Sequence, residues 1–399
     1  MLKGKTIILG ISGGIAAYKI ANLCSLLVKQ NADVHVIMTK NATQFIAPLT
    51  FETLTGNKCI IDTFDRNFEF DVKHISIAKS ADLIMLAPAT ANLIAKLSNG
   101  IADDMLTTTV LASKAKKLVA PSMNTNMYEN PITQDNISKL KHYGFSIIEP
   151  DTGLLACKDV GKGKLPEPEV LCDYILHEIA KPKDMQGLKV IVTAGACAES
   201  LDPVRFISNH STGKMGFAIA RECALRGAHV TLVTARTQAP PPRFCEIVAA
   251  PSASEMFDEL AERFTDCDLL FKTAAVTDYT PANYCDEKIK KSDDEFVIKL
   301  KKTQDIIKYL GTQKKPNQVI CGFSMETENM LENSRKKLVN KNLDMIVANN
   351  LKTEGAGFAC DTNVVTIITK DEMKELPLMS KASVSKDIVD TALSIYNSK

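Results

Sequence analysis

Short, almost continuous apolar runs alternate along this chain with longer stretches whose apolar residues recur every third or fourth position. The runs predict β-strands at residues 6–9, 34–38, 83–86 and 117–120. With few polar interruptions, they read as strands covered on both faces. Between the first two, Ile20, Leu23, Cys24, Leu27 and Val28 share one face of a helix. The pattern pauses at the polar segment 180–187 and then resumes, with strands predicted at 190–193, 230–233, 269–272, 319–321, 345–348 and 364–368. Such alternation predicts two doubly wound α/β domains built on parallel sheets, residues 1–187 and 188–399, each long enough for its own core.

Charge narrows the field. Lys and Arg number 48 against 47 acidic residues, a net charge of +1, so no broad field draws in nucleic acid or an anionic membrane. Any anion site must be local. No run approaches the roughly 20 apolar residues of a membrane helix, and the apolar stretch 6–10 is too short for a secretory leader, so it reads as the first strand. The 11 cysteines lie singly, without C-x-x-C pairs or metal-ligand spacing. A reduced, cytoplasmic setting is expected.

The candidate chemistry of the first half lies in loops after strands. Residues 10–19, G-I-S-G-G-I-A-A-Y-K, follow a strand and open a helix, where glycines admit a phosphate close to the backbone and helix amides favour its charge. Ser12 occupies the second glycine place of G-x-G-x-x-G, which weakens a dinucleotide reading and suits a monophosphate such as that of FMN. A tight turn without ligand also fits. His74 precedes the strand ending A-P-A-T-A-N at Asn92, and Asn124 lies just past another strand, where open α/β sheets place ligands. Residues 151–167 carry spaced glycines and lysines around Cys157, which reads as a mobile flap with a thiol tuned for proton transfer.

In the second half, Gly213-Lys214 suggests a P-loop, but Ser208 and Met215 stand at positions that motif reserves for Gly and for Ser or Thr. The segment K-T-A-A-V-T-D-Y ends with Asp278, a carboxylate suited to magnesium. Lys288, Lys290 and Lys291 cluster in a loop, and Lys337 and Lys341 lie four apart on a helix. From the residues alone, an NAD- or flavin-dependent oxidoreductase stays open.

The order of these motifs resembles a known pair of families. Residues 1–180, through the 10–19 loop, the His74 segment, A-P-A-T-A-N, P-x-M-N-x-x-M ending at Met127, and T-G-L-L-A-C ending at Cys157, resemble the FMN-dependent cysteine decarboxylases. Specifically, they resemble the phosphopantothenoylcysteine decarboxylase half of the bacterial bifunctional enzyme. Residues 188–399, through L-D-P-V-R-F-I-S-N-H-S-T-G-K-M-G, A-A-V-T-D-Y, K-I-K-K, G-F-S-M-E-T and K-N-L-D-M-I-V-A-N, resemble phosphopantothenate–cysteine ligase. This chain departs from those patterns at Lys158, at Ala196-Cys197 and at Gln304.

The resemblance implies a flavodoxin-like FMN-binding domain and a Rossmann-like ligase domain. It implies FMN at Ser12, Gly13, Gly14, Thr39, Ala87, Thr90 and Asn92, with His74 as base, Asn124 holding the substrate carboxylate and Cys157 donating a proton. For the ligase half it implies nucleotide contacts at Ala274, Ala275, Asp278, Lys288, Gln304, Asp305, Ile306, Ile307, Phe323, Lys337 and Lys341. Asn209 would then meet the acyl intermediate, Lys288 would act in catalysis and Asp278 would bind Mg2+. Implied substrates are 4′-phosphopantothenate, cysteine and CTP. No nucleic acid or membrane partner is implied, and the assembly is expected to be a homo-oligomer, as large as a dodecamer. A ligase-only enzyme and a non-catalytic regulatory flavoprotein are the competing readings.

Overall fold

The computed structural model describes residues 1–63, 73–155, 159–290, 297–325, 329–349, 357 and 360–399; of residues 73–75 it describes the backbone. The chain divides into two compact units, Met1–Pro182 and Lys183–Lys399.

The first unit is a five-stranded parallel sheet of Thr6–Ile11, Asp33–Met38, Leu83–Ala89, Lys116–Pro121 and Ser146–Ile147. In space the order is 2-1-3-4-5, the flavodoxin-like order of doubly wound folds. All seven residues of Leu83–Ala89 are buried, which explains a run with no polar alternation. The helix Ala17–Lys29 buries Ile20, Leu23, Cys24 and Leu27 against the sheet, whereas Val28 turns outward, 36% exposed. The predicted flap is an antiparallel hairpin, Asp151–Leu154 with Val160–Lys164.

The second unit holds an eight-stranded sheet. Taken in chain order, its strands are Lys189–Ala194, His229–Thr234, Glu246–Ala249, Leu269–Lys272, Val319–Met325, Met345–Asn349, Thr362–Thr369 and Met373–Ser380. Their spatial order is 3-2-1-4-5-6-7-8, with strand 7 antiparallel to both of its neighbours. Six strands thus reproduce the Rossmann order, whose ligand crevice opens between strands 1 and 4. Alternate residues feed opposite layers: Val190 and Val192 pack with Phe217, Ile219 and Ile388, while Ile191 packs with Met256, Leu260 and Leu310. Gly216 lets the helix Lys214–Leu225 lie close on the sheet, because a Cβ there would sit 2.7 Å from the Thr193 carbonyl oxygen.

Arg226, 6% exposed, stitches this unit together at the end of that helix. Its Nε and Nη2 donate to both oxygens of Asp184 at 2.8 and 2.6 Å, and Nη1 donates to Asp390 on the C-terminal helix at 2.6 Å. Removing a buried member of such a pair costs about 3–5 kcal/mol, and the half-exposed carboxylates here reduce that to about 2–3 kcal/mol. We expect Arg226→Ala to lower the urea concentration at which the helix Lys381–Asn397 loses hydrogen-exchange protection. Unchanged protection would refute the assignment.

Candidate active sites

In the first unit, the predicted FMN residues converge on loops at the carboxyl ends of strands. Ser12 is 2% exposed. Its Oγ donates to the Pro88 carbonyl at 2.7 Å and accepts from the Thr90 amide at 3.0 Å. The hydroxyl therefore ties two strand-end loops together instead of facing outward, which differs from the direct phosphate contact its position suggests. Thr90 in turn caps the helix Ala91–Ser98, accepting from the Leu93 amide, and Asn92 lies exposed in its first turn. The Thr39 amide donates to the Ile11 carbonyl at 3.0 Å, joining a third loop. Ala87 is buried in its strand. Gly13 meets Asn41 so closely that a Cβ would lie 2.5 Å from the Asn41 Cβ, whereas beside Gly14 the nearest atoms are at 3.7 Å or more. The helix Ala17–Lys29 that follows has no side-chain cap.

Asn124 stands at the end of the fourth strand. Its Oδ1 accepts from the Asn126 amide at 2.9 Å and its Nδ2 donates to Asp159 at 3.2 Å, directing the amide toward the hairpin. The hairpin's base is tied down: the Met123 amide donates to the Gly163 carbonyl at 3.1 Å, and Lys162 reaches Glu149 at 2.8 Å. The Tyr128 hydroxyl donates to the same Glu149 oxygen at 2.9 Å. Lys162, with help from Tyr128, holds the Glu149 carboxyl below its usual range. The hairpin glycines read as signs of mobility thus include two that serve close approach, Gly161 to Thr125 and Gly163 to Met123. Cys157 and Lys158 lie outside the described residues, as does the side chain of His74, whose backbone falls in the helix Lys73–Ser80.

The second unit contains a cavity of about 860 Å³ at the carboxyl ends of its central strands. Its wall brings together Asn209, Ala274, Ala275, Asp278, Gln304, Asp305, Ile306, Ile307, Phe323, Lys337 and Lys341. Thr193, fully buried, sets the loop after strand 4 by accepting from the Ala274 amide at 2.9 Å. Asn209 donates to the Val276 carbonyl at 3.2 Å. Asp305 caps the helix Ile306–Gln313 and pairs with Lys341 at 2.8 Å. Burial raises the Asp305 carboxyl, but the Lys341 and Lys308 hydrogen bonds outweigh it and hold the group below its ordinary value.

Lys288 is not brought to this wall. It sits on an exposed loop whose next residue, Ile289, donates its amide to Asp202 at 3.1 Å. Cys197, at the departure from the ligase pattern, is fully buried with Sγ 3.9 Å from Met256 Sδ, and burial pushes its thiol up to about 12. It is a core residue and does not line the cavity. Lys214 of the P-loop look-alike pairs with Asp361 at 2.7 Å. Lys272, Thr277, Ser211 and Lys302 also line the cavity. Lys272 ends a predicted strand, and that position was the one signal available for it.

A flavodoxin-ordered unit joined to a Rossmann-ordered unit, each presenting functional loops at its strand ends, defines a two-part α/β enzyme. Residues 1–180 match the family described as Flavoprotein, and residues 185–395 match the DNA/pantothenate metabolism flavoprotein C-terminal domain. The chain is 46% identical over 395 residues to the coenzyme A biosynthesis bifunctional protein CoaBC of Bacillus subtilis, with 98% of this chain and 97% of that one covered. It is 40% identical over 401 residues to the protein of the same name from Escherichia coli, with 100% and 99% covered. A crystal structure of the C-terminal domain of a CoaBC protein aligns with 54% of this chain and 100% of that one, at 37% identity and a TM-score of 0.47. The chain belongs to the family of bifunctional coenzyme A biosynthesis enzymes, which join a decarboxylase and a ligase in one polypeptide.

Proposed function

We propose that residues 188–399 ligate cysteine to 4′-phosphopantothenate with CTP, and that residues 1–187 decarboxylate the product to 4′-phosphopantetheine. The observation that carries the ligase reading is the convergence of Asn209 and ten of the eleven expected nucleotide residues on one cavity at the sheet's carboxyl edge. In that reaction a carboxylate oxygen attacks the α-phosphorus of CTP and pyrophosphate leaves. Cysteine's amine then attacks the acyl carbon, forming the amide and releasing CMP. Asn209 would hold the acyl-cytidylate. Asp278 is the carboxylate available to Mg2+; no cluster of three or more metal-ligating side chains occurs among the described residues, so the ion would be held largely by the triphosphate. Lys288 would act only if its loop approached the cavity.

For the decarboxylase, FMN fits the first unit because the space beside Gly14 is open and the helix Ala17–Lys29 starts without a side-chain cap, which favours a phosphate there. When bound, it supplies the two-electron oxidation of the substrate thiol that lets carbon dioxide leave, and the reduction that follows. Ser12 would hold the loops, with Gly14, Thr90 and Asn92 around the cofactor. His74 would take the substrate proton, Asn124 would hold the carboxylate and Cys157 would return a proton. A cytoplasmic homo-oligomer is the setting in which we expect both steps.

Mass spectrometry of a reaction holding 4′-phosphopantothenate, cysteine, Mg2+ and FMN-loaded protein tests this. With CTP, 4′-phosphopantetheine is expected; accumulation of 4′-phosphopantothenoylcysteine would refute the decarboxylase assignments. A higher kcat/KM with ATP would overturn CTP.

A further inference from the structure

Lys272 is a cation of the ligase cavity that is partly buried and yet has no partner among the described residues. It is the last residue of the central strand Leu269–Lys272, held in register by Thr193 on one side and Gly322 on the other. Its backbone is therefore fixed beside the crevice between strands 1 and 4, and its side chain lines the cavity. Lys341, by contrast, already has Asp305 at 2.8 Å. Among the described residues no hydrogen bond or ion pair reaches the Lys272 ammonium; its opposing charges, Asp305 and Asp278, act at longer range, and Lys341 opposes them. Burial holds the group below its usual value.

A partly buried cation without an acceptor is unfavourable unless an anion arrives to meet it. A cation that lines a cavity without an acceptor calls for a ligand rich in anionic oxygens, which a polyphosphate is. At about 860 Å³ the cavity also has room for a nucleotide.

We propose that Lys272 binds the phosphate chain of the nucleoside triphosphate, as a nucleotide-binding residue additional to those the family motifs point to. The inference rests on reading this cavity as the nucleotide site. A charge-assisted hydrogen bond of this kind corresponds to about a 10- to 100-fold change in affinity.

The test is isothermal titration of the full-length Lys272→Met protein with CTP and with cytidine, beside its apo melting temperature. The expected result is a CTP Kd raised about 10- to 100-fold, a cytidine Kd changed little, and an apo melting temperature that rises, because an unpaired cation has been removed from the wall. Lys272→Arg should restore most of the CTP affinity, and Lys272→Gln repeats the loss should methionine disturb the sheet. An unchanged CTP Kd, or an equal loss for CTP and cytidine, would overturn the proposal. If the unmodified protein bound neither CTP nor ATP, the nucleotide reading itself would fall and take Lys272 with it. Binding by the unmodified protein with no change in the variants would overturn Lys272 alone.

Discussion

Replacing Gly163 by alanine should cut the kcat/KM of decarboxylation by about a hundredfold while leaving ligation intact. Gly163 has φ +144°, and a Cβ there would stand 2.3 Å from the carbonyl oxygen of Met123. The obstacle is backbone, so no rotamer change relieves it. Either the hairpin strand Val160–Lys164 lifts away or the Met123–Asn124 loop is pushed aside, and a displacement near 1 Å at a positioning residue costs about that factor. Asn124 is the next residue along, and its amide already spans the gap to Asp159. Gly153→Ala is the matched control on the partner strand, because its Cβ would meet only Lys164 Cδ at an ordinary 3.5 Å. Stopped-flow or coupled assays of carbon dioxide release from 4′-phosphopantothenoylcysteine measure both variants. Activity of Gly163→Ala close to that of Gly153→Ala would remove the hairpin's base from the positioning of Asn124.

Lys341→Met should weaken ligation more than the loss of one phosphate contact predicts. Lys341 and Asp305 neutralise each other in the cavity wall at 2.8 Å, and Lys341 also helps to hold the Asp305 carboxylate ionised. With the lysine gone, an uncompensated carboxylate faces the place where we seat a triphosphate. One lost charge-assisted hydrogen bond is about 1.5–3 kcal/mol; adding like-charge repulsion, we expect kcat/KM for the nucleotide to fall by about 10²–10³-fold. The double variant Lys341→Met with Asp305→Asn should recover about tenfold of that, since the repulsive partner is removed. Steady-state kinetics with varied nucleotide at saturating cysteine decide it. If the double variant is no better than the single, the repulsion argument fails and Lys341 contributes only its own contact.

The parts of the fold legible in the sequence are those built from local repetition. All ten predicted strands are present, most extended by a residue or two at their ends, because a strand buried on both faces writes itself as an unbroken apolar run. The strands that were not legible lie at edges or in hairpins. Glu246–Ala249 has mostly exposed positions, and Met373–Ser380 carries Pro377, Lys374 and Glu375 on the sheet's last strand. Gly161 and Gly163 were legible as flap residues but not as close contacts, because the atoms they avoid belong to a segment some 40 residues earlier in the chain.

The site divides in the same way. The family resemblance named the ligase residues that line the cavity; Ala274, Ala275 and Phe323 lie in or just past strands of the sheet, whereas Ile306, Ile307 and Lys337 lie on helices. Side-chain direction was a different matter. Ser12 sits in a phosphate-loop position, yet its hydroxyl is spent on Pro88 and Thr90; Lys288 belongs to a lysine cluster, yet its loop leaves it outside the cavity wall. Lys272 looked like the end of a strand and became an unpaired cation only when strands 1, 4 and 5 closed around it. Periodicity and spacing report which backbone positions share an edge. Whether a polar atom at that edge meets a partner or faces a cavity depends on residues far along the chain, and only the packed structure brings those within hydrogen-bond reach.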